Sequence, residues 1–343
     1  MPSTESVTRM PCGGSRVRSA SVHGGVALTL SAVVAVLAAC GTGGAPESAT
    51  SASVAPPAQT PGVPESPRPA PNVSPSVSAS PPAGAPTAKP LPGARTVTGR
   101  ASSVSGTTDE ATLTAYAAMA DRAVAAVEQH WTRDWPGRVT LVAPADLTQF
   151  REQTGRADDV SQVAAITDGP LDAEGRATAD RVVLNPEAFA RLTPEGRQFV
   201  ITHESTHVAL RSSLPGAAPL WLVEGFADHV GYAGSSRSRA ELAAGLLEKV
   251  RAGQGPTRLP TQGDFDPSQG EIAPAYLASW LAVDLIVRRY GEAALQRFYV
   301  ASTVNASPAQ ADTAMDAAFR EVLGTTRAEF TTQWLAELRR LAG

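Results

Sequence analysis

The chain is nearly devoid of cysteine and of lysine. Cys12 and Cys40 are its only thiols in 343 residues, so the long region after them has no disulfide and no thiolate metal ligand. A metal site there must be built from histidine and carboxylate. Lysine occurs only at Lys89 and Lys249, which reads as a compositional bias and not as function. There is no basic run either. From residue 108 onward, 22 Lys and Arg face 30 Asp and Glu, a net of −8, which argues against nucleic acid as a partner. No aromatic residue precedes Tyr116. The longest apolar segment near the start, Val26 to Ala39, has only 14 residues, too few for a comfortable membrane span.

That segment reads as the apolar core of a targeting sequence, with Arg9, Arg16 and Arg18 as its basic region. Met10 is an alternative start. The core ends Leu37-Ala38-Ala39-Cys40-Gly41, which resembles a bacterial lipobox. The resemblance implies a lipoprotein signal peptide over 1–39, lipidation of Cys40 and an extracytoplasmic protein on the outer face of the cell membrane. An ordinary signal peptide cut near Ala39 is the alternative. Fourteen of the chain's 28 prolines lie between Pro46 and Pro92, among Ala, Ser, Thr and Gly. Such a composition buries too little apolar surface to offset its ordering entropy. Residues 40–107 therefore read as a disordered tether, reaching from roughly 45 Å as a coil to about 200 Å when extended. Residues 108–343 are enough for one domain.

Within that domain the most informative run is His203-Glu204-Ser205-Thr206-His207. It lies in a stretch that reads as helix, Glu195 to Leu210. Residues four apart share a helical face, so two imidazoles can grip one metal ion, while Glu204 can take a proton from a water beside it. Pro215, Gly216 and Pro219 mark a turn, and Pro219-Leu-Trp-Leu-Val-Glu224-Gly-Phe-Ala-Asp228-His229 reads as the start of a second helix. A helix–turn–helix of that length can return Glu224 to the histidines. Three protein ligands with an open fourth position characterise a catalytic zinc. Asp228, one turn past Glu224, is placed to accept the free N–H of a ligand histidine. Asp228 or His229 as third ligand remains an alternative to Glu224. Leu210 and Ser213 stand where a metzincin needs Gly and His, which excludes that class.

His-Glu-x-x-His followed by Trp-Leu-x-Glu-Gly-Phe-Ala-Asp resembles the gluzincin metallopeptidases, and more narrowly the peptidase MA-like domains of exported bacterial proteins with a thermolysin-type core. The resemblance is strong over about residues 195–232. It implies zinc on His203, His207 and Glu224, Glu204 as general base, and Asp228 supporting a ligand histidine. Two departures matter. The gap from second His to Glu is shorter than in thermolysin, and the tyrosine and histidine that assist its transition state lack counterparts at matching positions.

Around the motif, helices are predicted at about Asp109–Trp131, Asp146–Thr154, Ser238–Ala252, Glu271–Tyr290, Ala293–Ala301, Ala309–Leu323 and Thr326–Leu341. Strands are predicted at Val139–Ala143, Val163–Ile166 and Arg181–Asn185. This is an α+β, zincin-like pattern: a small N-terminal sheet, the metal helix, then a mainly helical half. The strand Arg181–Asn185 is either a substrate-binding edge or an interior strand. Tyr276 is a candidate oxyanion donor, although Ile272, Tyr276 and Trp280 also form a core-facing stripe. His229 is the next candidate donor, and His130 reads as a surface or capping residue. The expected activity is zinc-dependent hydrolysis of a peptide or protein substrate. The alternatives are a binding or scaffolding module that retains the metal site, and a zinc hydrolase of a non-protein amide.

Overall fold

The computed structural model describes residues 90–343 apart from 158–159, 161–162, 267–268 and 306. The signal segment 1–39, Cys40 and the tether up to residue 89 lie outside the described residues. Among the described residues, no helix is long and apolar enough to cross a membrane.

The chain enters through β1 (Arg95–Thr98) and β2 (Ser102–Gly106), followed by α1 (Glu110–His130), β3 (Val139–Ala143), α2 (Leu147–Thr154), β4 (Ala165–Asp168) and β5 (Arg181–Leu184). A helical half follows: α3 (Pro186–Ala190), α4 (Pro194–Ser213), α5 (Leu220–Tyr232), α6 (Arg239–Leu242), α7 (Ala244–Arg251), α8 (Ala273–Tyr290), α9 (Glu292–Ser302), α10 (Pro308–Leu323) and α11 (Arg327–Ala342). The architecture is α+β, a small mixed sheet followed by a mainly helical region.

Two strands overturn the expected boundary at residue 107. β1 and β2 fall in what reads as tether, yet they pair antiparallel with each other, and β2 pairs parallel with β3. Hydroxyl residues do the work of apolar ones here. Ser102 is fully buried, and its Oγ lies 2.8 Å from Asp121 Oδ1 on α1. Val104, also fully buried, is the apolar residue β2 turns inward.

The sheet order is β1-β2-β3-β5-β4. β5 is therefore interior, parallel to β3 and antiparallel to β4. The edge strand on this side is β4, shifted two residues along from its expected position, and it packs on α4. The single helix expected over Ser238–Ala252 is two, broken at Ala243, whose φ of −96° and ψ of 14° leave the helical range.

α1 follows from its spacing. Asp109 accepts from the Thr112 N–H as N-cap, and Leu113, Ala117, Ala120, Val124 and Val127 form a buried stripe at three- and four-residue steps. α4 begins at Thr193, whose side chain accepts from the Gly196 N–H, with Pro194 in the first turn. It lies between two hydrophobic clusters. Val200, Ile201 and Val208 join the sheet and α1. Ala209, Leu210 and Leu214 join the cluster built on Trp131, Phe226, Phe298 and the later helices. Burying each large side chain is worth about 1.5–3 kcal/mol, so both clusters hold α4 in place.

Two glycines fix the turn and the approach of α5. Gly216 sits at φ +88°, and an added Cβ would lie 2.4 Å from the Val304 carbonyl oxygen. At Gly225 an added Cβ would lie 2.5 Å from the Ser279 carbonyl oxygen of α8. A side chain at Gly225 would force the two helices apart, beside Glu224.

Candidate metal centre

α4 and α5 bring His203, His207 and Glu224 together as one fully buried group. The two imidazole Nε2 atoms are 3.0 Å apart. Glu224 Oε2 lies 3.3 Å from His203 Nε2 and 3.5 Å from His207 Nε2. Bonds of about 2.0–2.1 Å at tetrahedral angles separate ligand atoms by about 3.3–3.4 Å, so the triangle has the size a small metal ion needs.

The polar accounting points the same way. Neither Glu224 oxygen makes a hydrogen bond, although the side chain is sealed from solvent. A buried carboxylate without hydrogen bonds is costly unless a cation compensates it. Burial pushes Glu224 up, but His207 and His203 outweigh that and hold it at about 2, so the group stays ionised. Burial also lowers His207. On His203 the same lowering is overcome by Asp228 and Glu224, which lift it to about 10.

Asp228 Oδ1 lies 2.8 Å from His203 Nδ1. An ionised carboxylate can only accept, so Nδ1 carries a proton, and the Nε2 that faces the triangle offers a lone pair to a metal ion once its own proton is displaced. His207 lacks such support: its Nδ1 has no hydrogen-bond partner. Beneath His203 the Phe199 ring is 6.0 Å away, and Tyr232 packs on Phe199 at 4.2 Å.

Glu204 is also fully buried. The Thr167 hydroxyl on β4 donates to its Oε2 at 2.6 Å, while Oε1 has no partner. Burial pushes Glu204 up to about 8 against the opposing pull of His203 and Thr167. It is thus a carboxyl group anchored on one oxygen and free on the other, with its titration raised toward neutrality.

The remaining expected residues have the following surroundings. Tyr276 is 4% exposed, its ring edge-on to Phe265 at 5.2 Å, which agrees with the core-facing stripe. His229 turns to Glu292 on α9, 3.2 Å away, and so is not a ligand of this group. His130 is not a bare surface residue: its Nδ1 lies 2.8 Å from Glu292 Oε1.

Sequence reasoning missed Thr167 and Tyr299. The apolar run read as strand stops at Ile166, whereas pairing continues through Thr167↔Val182. Tyr299, on α9, has its hydroxyl pushed up by burial and further by the charge of Glu224. With His207, Arg211, Gly216, Val223 and Thr303, it lines a narrow cavity at the His207 side of the triad.

Compared with known proteins, the chain matches no family model and no curated relative.

Proposed function

We propose that this protein is an exported, lipid-anchored zinc metallopeptidase with a zincin-like fold and a gluzincin ligand set. The observation that carries the reading is the triangle of His203, His207 and Glu224, whose buried carboxylate makes no hydrogen bond, with Glu204 alongside. Two imidazoles and a carboxylate are a ligand set that suits Zn²⁺. Zn²⁺ bound there would supply Lewis acidity and lower the pKa of a water.

The chain's own residues do the rest. Asp228 fixes the His203 ring and its tautomer. Thr167 holds Glu204 Oε2, leaving Oε1 to take the water's proton and pass it to the leaving nitrogen. A carboxyl group raised to about 8 is better matched to proton transfer near neutral pH than one in the usual acidic range. β4 carries Thr167 and is the edge strand beside α4, so an extended peptide is assigned to β4 rather than β5.

One observation favours a second reading. His203, Glu204, His207 and Glu224 have no exposed surface, so a peptide reaches Glu204 only after local opening. A sealed ion would also suit a binding or scaffolding module at the cell surface. Digestion of a peptide library by the full chain, with and without a chelator, separates these readings. The peptidase reading expects chelator-sensitive cleavage that is restored by Zn²⁺. Stoichiometric zinc without cleavage of any peptide supports the module, and absence of bound metal after gentle purification overturns both.

The anchor has its own test. Replacing Cys40 by Ala should release the protein from the membrane fraction or leave it unprocessed, since stable anchoring takes more than one acyl chain. Unchanged membrane association with normal processing would count against lipidation.

A further inference from the structure

A second histidine–carboxylate group lies outside the site above. His130 is the last residue of α1, His229 sits in the last turn of α5, and Glu292 opens α9. Glu292 reaches both rings, with Oε1 2.8 Å from His130 Nδ1 and Oε2 3.2 Å from His229 Nε2. One ligand atom from each residue lies within 4.8 Å of the other two. The rings meet edge-on with centroids 5.2 Å apart, so their nitrogens converge on the same carboxylate.

We propose that His130, His229 and Glu292 form a second, exchangeable divalent-cation site that clamps the ends of α1, α5 and α9 together.

Three features support an ion here. The scaffold is fixed without one. Trp131, next to His130, is buried against Phe226 of α5 and Tyr299 of α9. The His130 carbonyl accepts from Gln296 Nε2 on α9 at 2.9 Å. The electrostatics are favourable too. α1 and α5 present C-terminal ends, whose partial negative charge attracts a cation. The opposing N-terminal end of α9 is offset by Glu292 itself. Access is open as well, since the three side chains are 19%, 14% and 30% exposed. Water can complete the coordination and the ion can exchange.

Imidazole and carboxylate ligands select Zn²⁺, Ni²⁺ or Cu²⁺ over Mg²⁺ or Ca²⁺. The ion must displace two existing hydrogen bonds to Glu292, so binding is weaker than at a buried group whose carboxylate has none. The inference does not depend on the proposed peptidase function.

The test counts Zn²⁺ bound to the full chain by equilibrium dialysis at buffered micromolar Zn²⁺, with Mg²⁺ as the control ion. Glu292→Gln should bind one ion fewer than wild type, and Zn²⁺ should raise the melting temperature less in that variant. His130→Asn, at the exposed end of α1, provides the same readout should Glu292→Gln fail to fold. It should weaken the exchangeable ion by more than about 100-fold, beyond what loss of an outer hydrogen-bond partner costs. Two ions in wild type falling to one supports both sites. One ion that the Glu292 variant loses supports this site and sinks the inner one. One ion that the variant keeps, no ion at all, or equal occupancy by Mg²⁺ overturns the proposal.

Discussion

The two groups of two histidines and one glutamate share their chemistry and share α5, yet they differ in what they leave unsatisfied. The inner group has no exposed surface and a carboxylate with no hydrogen bond. The outer group sees water, and each oxygen of its carboxylate already meets an imidazole. The first therefore keeps its carboxylate oxygens free for a metal ion, while the second would have to give up hydrogen bonds to take one. Ligand identity alone does not rank metal sites; burial and the state of the carboxylate do. Glu224 and His229 are five residues apart on one helix, about 140° around its axis, which is why one element can serve both groups without mixing them.

The largest effect should come from breaking the inner triangle. Glu224→Ala should lose the tightly held ion and all hydrolysis, measured by chelator competition and peptide turnover. Should that variant keep its ion, the contrast drawn between the two carboxylates fails. Glu204→Gln comes next. It should keep the metal and lower turnover by about 10²–10⁴, the range expected when a positioned proton acceptor is removed. Near-normal turnover would mean that Glu204 is not the base.

Asp228→Ala leaves all three inner ligands but frees the His203 ring. A fall of about 10–100-fold in zinc affinity or activity is expected, and a loss as complete as that of Glu224→Ala would move the third ligand to Asp228. Thr167→Val should cost about tenfold in turnover, comparable to one hydrogen bond to a charged group. It also removes a bond that favours the ionised form of Glu204. The acid limb of the pH–rate profile should therefore move to higher pH, and an unmoved limb would separate Thr167 from the base.

The smallest effect belongs to the outer group in the absence of added metal. Glu292 is held at about 2, below its ordinary 4.5. The stability it contributes is complete above the ordinary value and is lost as pH falls toward the folded one. The melting-temperature gap between wild type and Glu292→Gln should shrink from pH 6 to pH 2.5, and a gap that widens on acidification would contradict this assignment.

How much of this was legible in the sequence depended on distance along the chain. His203 and His207 are set by helical periodicity, and Glu224 and Asp228 by a short turn that its proline and glycine residues announce. Those relations are local. Thr167 meets Glu204 from 37 positions away, through a strand whose placement at the sheet edge depends on pairings no local pattern encodes. The same applies to β5, which becomes interior only because β4 adds antiparallel beyond it. β1 and β2 were hidden for another reason: their serines, threonines and glycine resemble the linker composition before them. His130 and Glu292 are 162 positions apart, so neither could be read as a partner of the other.

The position of β1 has a mechanical consequence. The chain arrives at the domain through this strand, at the edge of the sheet opposite β4. Tension on the N-terminal segment is applied to a four-residue strand with mostly exposed side chains. Its loss would unzip a single antiparallel pairing. β2, β3 and β5 stand between that load and the strand that holds Glu204. A domain pulled from its N-terminus would yield first at the seam farthest across the sheet from the strand that carries Thr167, and α4 and α5 would stay in register while it did so.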